Sequence, residues 1–342
     1  MSGGASMLPA AARVPWGRER LPVLVFAALV LGPVVASLSG AEGYVLSLLT
    51  RVMIFAVAAV SLDLILGYGA LVSFGHAAFL GIGGYAVGIL SSHGIDDVLI
   101  QVPAALAAAA IFGLATGAIS LRTKGVYFIM ITLAFGQMLF FLATSLAAYG
   151  GDDGMTLASR SLVAGLPFLK RDLSLYGASF LCLLGVYVLS RCIVASRFGR
   201  VLRGSRENPV RMEAIGLHPF RYQLAAYAIS GAMAGLAGCL LANQAEFVSP
   251  AFMTWQRSGE LIFMVVLGGM GSLHGAILGA AAFILLEEFL PGILDGLGVL
   301  LPGDLGSRLA ENWKMVFGPL LILVVLFARG GILGLLRGGR DA

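Results

Sequence analysis

Residues 44–66 read YVLSLLTRVMIFAVAAVSLDLIL, an apolar run broken by two charges, Arg51 and Asp63. A helix needs about 20 apolar residues to cross a hydrocarbon core of roughly 30 Å. Lipid offers no partner to a bare peptide group, so the crossing form is helical. Working outward, comparable runs lie at about 21–38, 70–90, 98–119, 125–148, 174–194, 223–243, 257–271, 275–291 and 313–328. The pattern predicts an all-α, polytopic membrane bundle of about ten transmembrane helices, broken or re-entrant segments among them. Composition agrees: 59% of the 342 residues are hydrophobic and 12% charged, too little polar surface to coat a soluble globule. The 47 glycines suit helices packed closely in lipid. Soluble enzymes and nucleic-acid binders are excluded.

Charge placement orients the chain. With the amino end inside, the segments 1–20, 120–124, 195–222 and 329–342 hold fourteen of the 22 Lys and Arg, and the outside segments hold four. Cytoplasmic loops carry the basic excess, so both termini are expected in the cytoplasm. The domain reading is therefore a cytoplasmic segment 1–20, a transmembrane domain 21–328 with an inside loop at 195–222, and a cytoplasmic tail 329–342. Arg13, Arg18 and Arg20 precede the first run as in a start-transfer anchor. Cys182, Cys192 and Cys239 form no CxxC pair and read as small core residues. The runs 257–271 and 275–291 meet at Gly268-Gly269-Met270-Gly271-Ser272, so they either span twice or form a re-entrant hairpin. His76-Ala77-Ala78-Phe79-Leu80-Gly81 is echoed by His274-Gly275-Ala276-Ile277-Leu278-Gly279, as internal duplication or chance would both produce.

The inside loop carries six arginines and two glutamates between Arg197 and Arg221. Asn208-Pro209 reads as an N-cap followed by proline at the first helical position. Gly216 supplies a left-handed stop, with Pro219 beyond. The spacing predicts a helix over 209–215, about 10 Å long at 1.5 Å per residue. So short a helix needs outside support. Val210, Met212, Ala214 and Ile215 make an apolar knob edged by Arg206, Arg211 and Glu213, the pattern of a groove-docking element; an ordinary basic inside loop is the other reading.

These residues resemble a known family. Arg206-Glu207-Asn208-Pro209 through Glu213-Ala214-Ile215-Gly216, followed by Arg221-Tyr222, is similar to the cytoplasmic coupling loop of LivM-type permeases in ATP-binding-cassette importers for branched-chain amino acids. Longer matches are Leu62-Asp63-Leu64-Ile65-Leu66-Gly67-Tyr68-Gly69, Leu71-Val72-Ser73-Phe74-Gly75-His76-Ala77-Ala78-Phe79, Gly81-Ile82-Gly83-Gly84-Tyr85, and Gly268 to Ser272 with Gly275-Ala276. The resemblance covers about residues 44 to 330. It departs from the broader importer pattern where Ile215, rather than a second alanine, follows Glu213-Ala214, and where a downstream Ile-x-Leu-Pro is absent. It implies a non-enzymatic permease subunit in a bacterial inner membrane, moving leucine, isoleucine, valine or a related solute such as urea or a short amide. The implied partners are a second, LivH-like permease, two cytoplasmic ATPase subunits and an extracytoplasmic substrate-binding protein. The resemblance assigns ATPase coupling to Arg206, Asn208, Pro209, Arg211, Glu213, Ala214 and Gly216. The chain has no Gly-Lys-Ser or Gly-Lys-Thr, so hydrolysis would reside on a partner; no catalytic, cofactor or metal site is expected.

Polar residues within apolar runs are functional candidates, since a mid-bilayer charge costs about 2.5–3.5 kcal/mol on insertion scales. Arg51 and Asp63, near opposite ends of one run, are expected to reach the two interfaces. Glu260, Glu287 and Glu288 read as outer-rim residues. Gln137 suits either an interhelical hydrogen bond or a pathway. Ser73, Gly75 and His76 lie among glycines that favour a broken helix, whose exposed N–H groups suit a carboxylate, or else permit close packing around a satisfied histidine. Ser73, Gly75, His76 and Gln137 are the candidate pathway residues. The competing functions are a proton-coupled transporter using Asp63, His76 or Glu260, and a membrane enzyme, against which no HExxH or GxSxG stands in the sequence.

Overall fold

The computed structural model describes residues 20–38, 40–298, 315–319, 322 and 330–336. Helices α1 (Arg20–Leu38), α2 (Glu42–Leu66), α3 (Ala77–Ser92), α4 (Val98–Ser120), α5 (Val126–Ser145) and α6 (Asp172–Ala195) precede the inside loop. That loop contains α7 (Arg197–Glu207) and α8 (Pro209–Ala214), and α9 (Pro219–Ala245), α10 (Trp255–Gly268), α11 (Leu273–Gly298) and α12 (Gly331–Leu336) follow. Among the described residues, seven helices are long and apolar enough to cross a membrane: α1, α2, α4, α5, α6, α9 and α11. The chain is a multi-pass helical membrane protein. Two further expected spans are short helices, α3 of 16 residues and α10 of 14. The expected span 313–328 and the segments 1–19 and 337–342 lie wholly or largely outside the described residues.

α2 is the axis of the bundle. It is hydrophobic all round, and every residue from Val52 to Leu66 is buried, as a helix surrounded by other helices must be. α6, α9, α10 and α11 all pack on it, and α3 and α4 pack on α9. Small residues make the closest approaches: a Cβ on Gly83 of α3 would strike the Gly235 carbonyl of α9, the use of glycine expected between helices in lipid.

The run expected at 70–90 does not begin as a helix. Residues 67–76 are turns and extended chain, with Ala70 at φ +55, and α3 starts only after His76. The glycine-rich sequence is thus a break before a half-length helix. A second interruption follows α9. Phe247–Val248 pairs antiparallel with Met155–Thr156, Pro250–Met253 forms a 3-10 turn with Met253 against Gly81, and α10 covers only about 20 Å at 1.5 Å per residue. α10 and α11 then form a helical hairpin, turning through Gly269 at φ +111 and Gly271 at φ +79. The two echoed His motifs lie at the start of α3 and in the first turn of α11. Of the cysteines, Cys239 is buried, Cys182 half-buried, and Cys192 is exposed on α6 rather than in the core.

Candidate functional site

α8 follows its sequence signals closely. The Asn208 side chain accepts the Arg211 backbone N–H at 3.0 Å, and Pro209 opens the helix. Gly216 sits at φ +83, where the Leu217 N–H reaches the Met212 carbonyl at 3.0 Å. None of its residues from Pro209 to Ala214 is buried, and Val210 and Ile215 are 70% and 65% exposed. A helix of six residues cannot hold itself together in water; Met212 against Gly204 of α7 is its intrachain support.

α7 is the element the sequence reading missed. Only 209–215 was expected to be helical in this loop, yet Ser196 caps a helix whose face of Gly199, Val201, Leu202 and Ser205 is buried while its arginines face outward. The Ser196 cap and the i, i+3, i+4 spacing of Phe198, Val201, Leu202 and Ser205 were the legible signals. α7 packs on α6 and α9 and carries α8 against it, joining α8 to the bundle.

At the last turn of α7, the Arg206 guanidinium donates to the Gly67 carbonyl at the end of α2. One turn back, the Asp63 carboxylate accepts the Gly271 backbone N–H at 2.8 Å from the α10–α11 turn. Asp63 is wholly buried, so the expectation that it reaches an interface is corrected: its carboxylate is used inside the protein. Gly67 is pressed between Asp63 and Gly271, and a Cβ there would overlap both. Gly269 in turn lies against Gly330 and Leu333 beside α12. A cavity of about 460 Å3 separates α8 from the α2–α3 break, with Val72, Lys124, Arg206, Pro209 and Glu213 on its walls.

Three of the four pathway candidates cluster at the break. Ser73 and His76 are fully buried. The Ser73 hydroxyl lies 3.4 Å from the Tyr227 hydroxyl, and His76 Nε2 lies 3.0 Å from Ser61 Oγ. His76 Nδ1 has no partner among the described residues. The Ala77 N–H, at the head of α3, donates to Ser258 of α10 at 3.0 Å. Gly75 meets the Thr132 carbonyl of α5, and a Cβ on Gly136 would lie 3.1 Å from Gly75 Cα. Gln137 is one residue further along α5, half-buried, at the edge of a face on which Met130, Met138 and Phe141 are exposed. Tyr227, Ser61 and Ser258 are site residues the sequence reading did not single out; lone hydroxyls in Ala- and Gly-rich runs give no signal until the fold brings them together.

At the opposite end, charges pair within the bundle. Arg51 lies 3.3 Å from Glu287 and 3.8 Å from Glu288, which also accepts the Tyr44 hydroxyl at 2.8 Å. Arg51 was expected to reach an interface and Glu287 and Glu288 to sit on the rim; all three are half-exposed and pair with one another between α2 and α11. Arg257 bonds Glu260 at 2.6 Å and lies 5.4 Å over the Phe55 ring.

A multi-pass bundle with a break before the half-length α3 and an exposed capped helix, α8, at one end is an architecture consistent with a membrane permease. Over residues 44–326 the sequence matches the family described as branched-chain amino acid transport system / permease component, and the chain belongs to that family. It is 28% identical over 312 residues to the high-affinity branched-chain amino acid transport system permease protein LivM of Escherichia coli, an alignment covering 84% of this chain and 69% of that protein. It is 26% identical over 298 residues to the permease protein BraD of Pseudomonas aeruginosa, covering 82% and 91%. The Escherichia coli permease protein LivH is 29% identical over 157 residues, covering 46% and 45%. No solved structure matches the chain.

Proposed function

We propose that this permease is one of two unlike membrane subunits of an ATP-driven importer for branched-chain amino acids, with α8 as the lever on which an ATPase subunit acts. The α8 end of the bundle, with the loop 195–222 and both termini, faces the cytoplasm of a bacterial inner membrane. A LivH-like permease completes the pathway, two ATPase subunits dock beneath, and an extracytoplasmic binding protein delivers solute opposite.

The observation that carries this reading is the joint from α7 to the core. Displacing α8 would pull Arg206, and with it the Gly67 carbonyl, the last turn of α2 and the α10–α11 turn held by Asp63. A lever acts only if it is attached to something that moves, and this one is attached next to the break at 67–76. The basic excess at the α8 end supports the orientation. The α5 face beside Gly75 and Gln137 is the wall this chain would offer to a pathway shared with the second permease.

Uptake of labelled leucine into proteoliposomes containing the chain and its co-purifying subunits tests the proposal. Uptake should require hydrolysable ATP inside and the binding protein outside, and should persist when ionophores abolish the proton gradient. Uptake that needs only the gradient overturns it, and transport of urea in place of leucine overturns the substrate assignment.

A further inference from the structure

A cavity of about 740 Å3 opens sideways between α4 and α6 at the end of the bundle opposite α8. α4 packs on α9 and α6 on α2, so a cleft is left between them, floored by Leu236, Cys239 and Asn243 of α9 and roofed by Phe168 and Leu169. Leu99 and Leu181 at its walls are exposed. Its only amides are already used. Gln101 accepts from Ser161 Oγ at 2.6 Å and donates to the Ile95 carbonyl at 2.9 Å. Asn243 accepts from the Ser161 N–H at 2.8 Å and donates to the Cys239 carbonyl at 3.0 Å. Apart from these amides and Ser174 at its mouth, the side chains lining the cleft are apolar or thiol, so it presents mainly hydrocarbon to its occupant.

The rim has the opposite chemistry. A second hollow, containing Lys170 and Arg171, shares Phe168 and Ser174 with the cleft. The nearby acids Asp172 and Glu246 are taken by Arg160, at 2.7 and 3.1 Å. Neither Lys170 nor Arg171 has an acidic partner among the described residues. On α6 the cleft runs from Leu173 to Cys182, about 13 Å at 1.5 Å per residue. That is close to one leaflet of a roughly 30 Å hydrocarbon core.

We propose that the cleft between α4 and α6 is a phospholipid site, holding one acyl chain of an anionic lipid whose phosphate sits at Lys170, Arg171 and Ser174. The occupant is a lipid rather than a protein segment because an apolar slot one leaflet deep meets a cationic rim at headgroup level. The lipid would fill the gap between α6 and α4, which make at most slight contact with one another. Membrane sidedness does not enter the argument, so the site stands or falls apart from the proposed transport function.

The test uses the chain, with the subunits that accompany it, in nanodiscs containing phosphatidylglycerol with a photoreactive acyl chain, followed by mass spectrometry of the adducts. Gly177 lines the cleft and a Cβ there meets nothing within 4 Å, so Gly177→Phe is chosen to fill the cleft; Ala178→Leu is the second variant should the first fail to fold. Adducts should concentrate at Leu99, Leu181 and Cys182 rather than on the exposed face of α5. Filling the cleft should cut them about tenfold, the loss of roughly two buried methylenes. The double change Lys170→Gln and Arg171→Gln should lower labelling by phosphatidylglycerol but not by the matching phosphatidylcholine probe. Equal labelling of cleft and α5, labelling unchanged by either filling variant, or cross-linking of these residues to another protein chain would overturn the proposal.

Discussion

The Asp63 carboxylate accepts the Gly271 backbone N–H at 2.8 Å across 208 positions of sequence, fixing the end of α2 to the turn between α10 and α11. Asp63 is fully buried, and its second oxygen has no hydrogen-bond partner among the described residues. The bond therefore places a carboxylate where a merely structural polar group would do, within reach of the field of Arg206. Asp63→Ala leaves the Gly271 N–H without an acceptor, at a cost of about 1–3 kcal/mol. Asp63→Asn keeps an oxygen for it. The first should lower the unfolding temperature of the purified chain clearly more than the second; equal shifts would mean that the hydrogen bond contributes nothing.

Arg206 makes the matching contact from the lever side, donating to the Gly67 carbonyl. A hydrogen bond to a charged group contributes about 1.5–3 kcal/mol, so its loss weakens the joint by a factor of about ten or more. Arg206→Gln should reduce uptake by about tenfold while the amount of chain in the membrane and its recovery with partner subunits stay the same. Wild-type uptake in this variant would rule out transmission through Gly67.

The end of α8 is set by Gly216 at φ +83. A β-branched side chain in this left-handed region costs about 1–2 kcal/mol, more than so short a helix can absorb. Gly216→Val should impair transport without blocking membrane insertion. Glu213→Arg, which reverses a charge on the exposed edge of α8 without touching its backbone, should do the same. ATP-coupled uptake at the normal rate in both variants would defeat the lever.

Close packing of α3 on α9 gives a stability prediction. A Cβ on Gly83 would strike the Gly235 carbonyl, backbone that cannot rotate away, whereas a Cβ on Gly185 of α6 meets nothing within 4 Å. Overpacking costs about 1–3 kcal/mol. Gly83→Ala should lower the unfolding temperature and the yield of extracted chain, and Gly185→Ala should change neither.

Much of this was legible in the sequence because its signals are local. Hydropathy over 44–66 marks α2, and the Asn208-Pro209 pair and Gly216 bracket α8; the glycines around Ser73–His76 left a break or close packing open, while hydropathy over 70–90 pointed to an unbroken span. What was not legible depends on partners far along the chain. Arg51 and Asp63 look alike as charges near the ends of one apolar run, yet Arg51 is neutralised by Glu287 and Glu288 while Asp63 holds a backbone N–H. No spacing rule connects positions 51 and 287. α7 was missed for a different reason: five arginines between Arg197 and Arg211 read as a basic loop, and their density masked the apolar stripe through Val201 and Leu202.

The four pathway candidates divide by exposure: Ser73, Gly75 and His76 are buried and Gln137 is not. Ser73 and His76 are fully buried, and His76 is bonded to Ser61 inside α2. Gln137 is half-buried, with no hydrogen-bond partner among the described residues, beside the exposed Met138 of α5. Removing the His76 ring opens a cavity and leaves Ser61 without that partner, so His76→Ala should lower stability by about 2–5 kcal/mol, read as a fall in unfolding temperature. Gln137→Ala touches no packed contact of that kind. It should leave the unfolding temperature unchanged and raise the KM for solute uptake, because any role it has is toward something outside this chain. If Gln137→Ala instead destabilises the protein and leaves KM alone, Gln137 holds helices together, and the pathway wall lies elsewhere than along α5.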